Sequence, residues 1–319
     1  MIIVKSPFRV SLFGGSTDYP SYYEKNGAFL IGTTINKYVY LSTRIRPNIL
    51  PKENVIVYSK LECEKDINDI KNPLIRETLR DSNIEEFIEL ISFSDIPSRT
   101  GLGGSSSFCV GMIYLLNKLQ NKAINKKSIA KQAINIERNI LKEHGGIQDQ
   151  ILASYGGLNS IEIKHNGDFC VKPLPVTIEF KEELENSIIL IYTNDQREHS
   201  ECAKSQDGVN KSTIQEISKQ AYSYFLKEDI KSIGGLLYQT WKEKAKLSNI
   251  ISNNKIDNII KDVMYMGAYG AKLLGSGGCG FILVICDSRV KNKIISNFSD
   301  YVLEVKLEDK GVSEIYSNI

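Results

Sequence analysis

The sequence predicts a mixed fold of helices and strands, arranged as one large domain or as two. Two hydrophobic patterns alternate along the chain. Short runs with an apolar residue at every second position are typical of strands, and longer runs with a three- to four-residue spacing are typical of helices. The 319 residues are enough to bury a substantial core. A composition that is 42% hydrophobic and 24% charged is ordinary for a globular protein.

Charge and cysteine usage exclude several classes of function. The net charge of +2 comes without any lysine-arginine stripe that carries interleaved aromatic residues, so we expect no nucleic-acid partner. Lys5 interrupts the apolar start of the chain too early for a signal peptide. No apolar run approaches the roughly 20 residues of a membrane span, so we expect no membrane partner. The six cysteines lie far apart, which favours free thiols in the cytoplasm over disulfides or a zinc site.

The first elements are strands. Alternating apolar residues from Val4 to Leu12 predict a strand, and the β-branched and aromatic residues of 29–45 predict a pair of strands. A further strand is expected over 55–58 and a short helix after Pro73. Arg9 lies among the apolar residues of the first strand, and Asp18 follows a double glycine. Taken alone, Arg9 is best interpreted as a charged residue on an edge strand, and Asp18 as an aspartate that forms a turn.

A loop rich in glycine and serine at 101–107 is the most informative stretch of the chain. The strand pattern of 87–93 precedes it, and an apolar helical pattern begins immediately after it at Phe108. Glycine lets the backbone approach a ligand closely, and a helix N-terminus favours phosphate. Serine hydroxyls could reach phosphate oxygens or Mg²⁺. The alternative is a serine-rich helix cap without a ligand.

Two carboxylates follow this helix. A second helix is predicted to open at Ser128, and Glu137 lies on its apolar face, where a carboxylate must be paired, metal-bound or neutralised. A salt-bridged structural glutamate is the alternative. After a glycine break at 145–146, a short helix carries Asp149 in its first turn, where the helix dipole also favours a carboxylate. Strand patterning resumes over 157–163.

The second half of the chain alternates buried strands with helices. The pattern predicts strands over 188–193, 282–286 and 301–307, and helices over 211–226, 230–247, 255–268 and 289–298. Lysines 242 to 246 alternate with other residues and indicate a solvated helix face. The glycines of 275–280 match G-x-G-x-x-G, but the predicted order of helix and strand around them is reversed, which excludes a dinucleotide fingerprint.

Three separated segments resemble the three ordered motifs of the GHMP kinases, the family of galactokinase and of homoserine, mevalonate and phosphomevalonate kinases. They read SPFRVSLFGGSTDY, IPSRTGLGGSSS and KLLGSGGCGF, and GGIQDQ resembles the catalytic-aspartate motif of the family. The resemblance implies an α+β fold with two domains. Residues 1–175 would form a ribosomal-S5-like domain and residues 176–319 a ferredoxin-like domain, with ATP and substrate in the cleft between them.

The resemblance also implies roles for individual residues. Asp149 matches the aspartate that takes the proton from the attacking hydroxyl, and Arg9 matches the basic residue that faces it. Mg²⁺ would be held by Glu137 with Ser105 or Ser106. The residues matched to ATP phosphate binding are Gly101, Leu102, Gly103, Gly104, Ser105, Ser106 and Ser107.

Substrate binding is matched to the first and third motifs. Asp18 would accept hydrogen bonds from sugar hydroxyls, and Lys272 would contact an anion. A phosphate at the far end of the substrate needs further cations, for which Arg197, His199 and Lys204 are candidates; the alternative is that these are solvated loop charges. The other residues matched to substrate binding are Gly15, Ser16, Thr17, Gly146, Gly277 and Gly278.

Within the family, the first and third motifs are most similar to those of D-glycero-D-manno-heptose 7-phosphate kinases. Galactokinases usually carry a glutamate-histidine pair where Gly15 and Ser16 stand. The resemblance therefore implies ATP-dependent phosphorylation of the anomeric hydroxyl of this small sugar phosphate, in nucleotide-activated heptose synthesis for a surface polysaccharide. The alternatives are a fucose- or galactose-type kinase and a non-catalytic sensor of ATP and sugar. The oligomeric state stays open.

Overall fold

The computed structural model describes residues 1–194 and 199–318, and these form two sheets with helices packed against them. The strands in chain order are β1 Ile2–Phe13, β2 Ala28–Ile45, β3 Asn54–Val57, β4 Leu61–Glu64, β5 Ile88–Ser94, β6 Asn159–Ile163, β7 Phe169–Pro173, β8 Ile188–Tyr192, β9 Gly270–Leu273, β10 Phe281–Ile285, β11 Val302–Leu303, β12 Leu307–Glu308 and β13 Ser313–Ser317. The helices are α1 Pro20–Asn26, α2 Pro73–Ser82, α3 Gly104–Leu119, α4 Lys126–Ile134, α5 Gln148–Tyr155, α6 Ile178–Ser187, α7 His199–Lys204, α8 Ser212–Leu226, α9 Ile230–Ala245, α10 Asn254–Tyr265 and α11 Ser288–Asn297.

The first sheet is built around β1 and β2. Its main path runs in the order β13-β1-β2-β5-β3-β4, with β12 and β6 also paired to β2 and β7 paired to β6. The prediction of two strands over 29–45 is wrong, because β2 is one strand of 18 residues. Its register against β1 shifts between Pro7 and Phe8. Such an irregularity bends a strand without ending it, so one end of β2 pairs with β6 and the other with β5.

Helix α3 lies against the first sheet and fixes the loop that precedes it. Apolar side chains are buried on several sides of this helix, between β1 and β2 on one side and α2, α4 and α5 on the other. Gly111 permits the close approach, since a Cβ at this position would lie 2.5 Å from Cδ1 of Leu41 in β2. The N-terminus of α3 is therefore held in a fixed position against the middle of β1, where Pro7, Phe8 and Arg9 contact it.

The second sheet has four antiparallel strands in the order β11-β8-β10-β9 within the described residues. The helix predicted over 255–268 is present as α10, but β9, a strand that was not predicted, lies between it and the glycine loop of 275–280, and β10 follows the loop. No helix follows the loop directly, and the exclusion of a dinucleotide fingerprint stands. Trp241 and the apolar residues of α10 and α11 form a separate core against this sheet.

The chain end returns to the first sheet. The single strand predicted over 301–307 is wrong: β11 pairs with β8 in the second sheet, whereas β12 pairs with β2 and β13 with β1. The chain crosses from the second sheet to the first between β11 and β12, so the apolar residues of 301–307 belong to two short strands. The predicted domain boundary at 175/176 falls between β7 and α6 and stays a prediction.

Local sequence signals account for most helix starts. Asn125, rather than Ser128, caps α4: its side chain accepts a hydrogen bond from the Ser128 amide at 3.0 Å. Helix α1, which was not predicted, begins at Pro20, a residue suited to the first helical position. In the described ranges, no helix combines the length and the apolarity that crossing a membrane would need. The cysteines form no disulfide within the part of the chain that the structure describes.

Candidate functional site

A cleft of about 590 Å³ is lined by segments from both halves of the chain. Its walls come from the end of β1 and the following loop, the loop before α3, the segment between α4 and α5, helices α7 and α9, and the loop after β9. The three motif segments and the GGIQDQ segment, which are far apart in sequence, all contribute side chains to this cleft.

Arg9 and Asp149 form an ion pair on the cleft wall. Nε of Arg9 donates to Oδ1 of Asp149 at 2.7 Å, and Nη2 donates to Oδ2 at 2.6 Å. The third nitrogen, Nη1, donates to the Gly101 carbonyl at 2.5 Å. Arg9 is only 5% exposed, whereas the Asp149 side chain keeps 20% exposure. This bidentate geometry holds the Asp149 carboxylate in one orientation, and Asp149 is the partner of the pair that is more exposed to the cleft.

Glycines bring the loop before α3 close to this ion pair. Gly103 caps α3 with a left-handed φ of 77°, and a Cβ at this position would lie 3.2 Å from Oδ2 of Asp149. The Gly103 carbonyl accepts from the Ser107 amide at 2.9 Å, so the amides of 104–106 precede the first helical hydrogen bond. Gly101, Gly103, Gly104, Ser105 and Ser106 line the cleft. The loop is therefore suited to bind an anion.

Two residues of the same loop support it from below. The Leu102 side chain is buried in the main core, and its carbonyl accepts from the Arg9 amide at 3.1 Å. Ser107 is fully buried, and its hydroxyl donates to the carbonyls of Pro7 at 2.8 Å and Gly103 at 3.1 Å. The structure thus places Leu102 and Ser107 beneath the cleft and the glycines with Ser105 and Ser106 on its surface.

Glu137 and Ser106 place a carboxylate beside a hydroxyl at the cleft. Ser106 Oγ donates to Oε2 of Glu137 at 2.8 Å, and the Gln150 side-chain amide donates to the same oxygen. Glu137 is 1% exposed and lies in a π-helical turn over Asn135–Ile140, a feature common at functional sites. Burial raises the pKa of Glu137, with Arg138 opposing the effect. The structural salt bridge considered as an alternative does not occur among its described contacts.

This oxygen donor set fits Mg²⁺. Magnesium is usually held by one or two carboxylates together with substrate phosphates, rather than by an all-protein cage. No cluster of three or more histidine, cysteine, aspartate or glutamate side chains is found in residues 1–194 and 199–318. Glu137 and Ser106 could therefore bind a magnesium ion only jointly with a phosphate ligand. Ser105 is exposed at the start of the same helix.

Asp18 is buried at a second wall of the cleft. Its Oδ1 accepts from the Ser16 amide at 3.0 Å and the Gln148 side-chain amide at 3.2 Å, and its Oδ2 accepts from the Gln148 backbone amide at 3.0 Å. Burial raises the pKa of Asp18; the Gln148 hydrogen bond opposes this effect and the Asp149 carboxylate reinforces it. A Cβ on Gly146 would overlap the Asp18 carboxylate. The glycine is thus required by the packing.

Of the remaining residues of the first motif, some line the cleft and others are buried beneath it. Gly15 and Ser16 line the cleft, whereas Thr17 is fully buried and donates to the Gly14 carbonyl at 2.6 Å. Ser16 Oγ donates to Oε1 of Gln206 at 2.7 Å. Thr17 therefore holds the turn rather than facing the cleft.

The structure brings only part of the third motif to the cleft. Lys272 lines the wall, but its ammonium donates to the carbonyls of Ser11 at 2.7 Å and Leu12 at 2.6 Å. Burial lowers its pKa well below the usual value, and Lys244 and Arg9 act in the same direction. Gly277 and Gly278 instead pack against Ile251, outside the lining of the cleft.

Of the candidates for a distal phosphate site, only Lys204 has a side chain that the structure describes. Arg197 lies outside the described residues. Lys204 is exposed at the end of α7 and does not line the cleft, and of His199 only its place at the start of that helix is described.

Two residues that the sequence did not indicate line the cleft. Lys244 was assigned to a solvated face and is instead 7% exposed, so that assignment is wrong. Its spacing from Leu237 and Trp241, at i, i+4 and i+7 on one buried face of α9, was the available signal. Gln206 is fully buried and joins Ser16 to the carbonyl of Ser276, to which its Nε2 donates at 2.5 Å.

Comparison with known proteins places this architecture among the ATP-dependent kinases of small molecules. Residues 70–157 match the model of the GHMP kinases N terminal domain, and residues 221–301 match that of the GHMP kinases C terminal domain. The chain belongs to the GHMP kinase family, and the α+β fold with its two domain types is confirmed.

Individual relatives span nearly the whole chain. The D-glycero-alpha-D-manno-heptose 7-phosphate kinase of Campylobacter jejuni is 29% identical over 98% of this chain and 98% of its own length. A galactokinase of Pyrococcus furiosus is 26% identical over 90% of this chain and 89% of its own. The crystal structure of a D-glycero-D-manno-heptose 1-phosphate kinase from Bacteroides thetaiotaomicron superposes with a TM-score of 0.80 at 22% identity, covering 99% of this chain and 100% of that one.

Proposed function

We propose that the protein phosphorylates the anomeric hydroxyl of D-glycero-D-manno-heptose 7-phosphate with ATP, giving the 1,7-bisphosphate. The observation that carries the reaction type is the Arg9–Asp149 pair, placed between the glycine loop at Gly103 and the buried carboxylate of Asp18. The sequence similarity to the Campylobacter jejuni enzyme supports the choice of sugar. The product would supply nucleotide-activated heptose for a surface polysaccharide, and the wide spacing of the cysteines favours the cytoplasm as the location of the enzyme.

Asp149 is the proposed acceptor of the proton that leaves the attacking hydroxyl. Arg9 donates to both carboxylate oxygens of Asp149 from one side. An acceptor hydroxyl must therefore approach Asp149 from the other side. The guanidinium also stabilises negative charge that develops during phosphoryl transfer. Because such transition states are loose, much of the contribution of this pair is positioning.

The nucleotide phosphates would be held by the amides at the start of α3. Glu137 and Ser106 would hold Mg²⁺ with them, and the ion would neutralise charge on the phosphates. Gly103 keeps the loop close enough to the Arg9–Asp149 pair for both substrates to meet there.

Asp18 is the proposed anchor of the sugar. Three hydrogen bonds fix its carboxylate, so the remaining lone-pair site, on Oδ2, can accept from a sugar hydroxyl in a defined direction. Gly15 and Ser16 stand where galactokinases usually carry a glutamate and a histidine. A small uncharged pair leaves room for the longer heptose chain and removes a carboxylate that would repel its phosphate.

A panel of acceptors tests this proposal. We expect the purified protein to release ADP fastest with heptose 7-phosphate, and ³¹P NMR to show the new phosphate on C1. Faster turnover of galactose or fucose would contradict the proposed sugar and indicate a free-sugar kinase. Nucleotide binding without ADP release from any acceptor would indicate a sensor.

Glu137→Gln is expected to weaken the response to Mg²⁺. The amide keeps the shape of the side chain but removes the negative charge that attracts the cation, so we expect the Mg²⁺ concentration for half-maximal rate to rise by about 10- to 100-fold or more. A magnesium titration at saturating ATP measures this.

Glu143→Gln is the matched control for that titration. Glu143 also lines the cleft, but its side chain is 45% exposed and faces Arg138 at 3.7 Å. Because the Glu143 charge acts on Glu137 through space, we expect a change in the magnesium response that is much smaller than that of Glu137→Gln. An unchanged response in Glu137→Gln itself would remove Glu137 from the metal site.

A further inference from the structure

Lys244 carries a buried ammonium on the wall of the cleft that α9 provides. The side chain is 7% exposed and lines the cleft, while Trp241 and Leu237 anchor the same face of the helix in the core. An ammonium has three N–H donors. Within the described residues, Nζ of Lys244 makes one hydrogen bond, to the Gly275 carbonyl. Two donors therefore remain for a ligand in the cleft.

This ammonium lies where the phosphate loop and the third motif meet. The backbone of Gly275 packs directly on Gly101, since a Cβ on Gly275 would lie 2.5 Å from the Gly101 Cα. The Gly101 carbonyl in turn accepts from Nη1 of Arg9 at 2.5 Å. Lys244 is thus connected, through one carbonyl and one backbone contact, to the loop proposed to hold the nucleotide phosphates and to the Arg9–Asp149 pair.

The neighbouring cations Arg9 and Lys272 each have more hydrogen-bond partners than Lys244. Arg9 is neutralised by the two oxygens of Asp149, and the Lys272 ammonium has two backbone carbonyls. No described carboxylate forms a hydrogen bond or ion pair with Lys244. Burying a charge is costly unless it is paired, so an anionic ligand in the cleft would compensate this ammonium.

We propose that Lys244 binds the phosphoryl group that is transferred, as a further catalytic residue; this rests on the kinase function proposed above. The bond between the terminal phosphorus and the bridging oxygen of ATP breaks, and a bond from the acceptor oxygen to that phosphorus forms. The acceptor proton passes to Asp149, ADP leaves, and Lys244 stays protonated. A phosphate group on the acceptor sugar has the same chemistry as the terminal phosphate of ATP. The variants below distinguish these two possible ligands of Lys244.

The charge state of Lys244 adds a pH signature. Burial lowers the pKa of Lys244 to about 8, with Arg9 acting in the same direction and Asp18 and Asp149 opposing it. The ammonium is therefore present below this pH and lost above it, so kcat/KM for ATP is expected to fall as pH rises through about 8. The charged and titratable groups that face Lys244 are Arg9, Asp18, Asp149, Cys202 and Lys272.

Lys244→Met tests the proposal while filling the same buried space. We expect kcat to fall by about 10²-fold or more, since a donor to the developing charge is removed. Calorimetry with Mg²⁺ and the non-hydrolysable analogue AMPPNP should show weaker binding. Lys244→Arg should retain part of the activity and show no alkaline decline up to about pH 10, because arginine stays protonated.

Lys242→Met is the matched control. Lys242 is an exposed residue of the same helix, its ammonium lies 4.7 Å from the Tyr238 ring, and it does not line the cleft. We expect its kcat, nucleotide affinity and pH profile to equal those of the unaltered protein.

The outcomes separate the two sources of phosphate. If Lys244→Met raises the KM for the phosphorylated sugar but leaves AMPPNP affinity and the kcat with unphosphorylated sugar intact, the ligand is the phosphate of the acceptor, and the assignment to the transferred group is overturned. Unchanged kinetics and unchanged AMPPNP affinity also overturn it. If no sugar is a substrate, the proposed function fails, but AMPPNP affinity still decides the role of Lys244.

Discussion

Asp149→Asn is expected to lower kcat by about 10²- to 10⁴-fold, the range associated with loss of a positioned proton acceptor. Asparagine is nearly the same size, so the fold should be retained. Its amide group cannot accept a proton, and its NH₂ would face the guanidinium of Arg9, where two oxygens now accept at 2.7 and 2.6 Å. Both proton transfer and the orientation of Arg9 are therefore affected. ADP release at saturating substrates measures the loss.

Nucleotide binding provides the internal control for this variant. The amides at the start of α3 and the Glu137–Ser106 pair do not contact the Asp149 side chain. We therefore expect AMPPNP affinity to change little while kcat collapses. ADP formation at full rate in Asp149→Asn would show that the carboxylate has no part in the chemistry and would restore the sensor alternative.

Arg9 separates orientation from proton transfer. Arg9→Lys keeps the positive charge but offers one ammonium in place of a planar fork, so it cannot bond both oxygens of Asp149 and the Gly101 carbonyl with the same geometry. If positioning dominates, as loose phosphoryl-transfer transition states suggest, this variant should lose a large share of what Asp149→Asn loses.

Local patterns in the sequence predicted several of the candidate site residues, because these residues lie within short continuous segments of the chain. The strand, glycine-serine loop and helix around 101–107 form one continuous unit, and the structure has the same order. Glu137 was recognisable because a carboxylate on an apolar helical stripe requires a partner, and the structure supplies Ser106 and Gln150.

What could not be predicted depends on contacts between distant segments. Lys244 is buried only because β9 and the Gly275 loop pack against α9, and a lysine-rich stretch gives no indication of that neighbour. Gln206 joins Ser16 to Ser276, three positions separated by up to 260 residues, for which no spacing rule exists. The return of β12 and β13 to the first sheet is equally non-local.

Gly146→Ala is expected to lower kcat/KM for the sugar by about 10²-fold, the scale of loss that follows from displacing a binding group by roughly 1 Å. The added methyl group would overlap the Asp18 carboxylate. Asp18 cannot rotate away without losing its bonds from the Ser16 amide and from Gln148. Relief must therefore come from a shift of the backbone next to Asp149, which would disturb sugar binding and the proton acceptor together.

Gly235→Ala controls for the loss of a glycine, because a Cβ at that position meets no described atom within 4 Å apart from its chain neighbours and the backbone of α9 itself. Its kinetics should equal those of the unaltered protein. The decisive measurement is a double-mutant cycle with Asp18→Ala, which makes room for the methyl group. If the damage passes through the Asp18 carboxylate, the double variant should be no worse than Asp18→Ala alone. Fully additive losses would instead mean that Gly146 acts through the backbone around Asp149, independently of the sugar anchor.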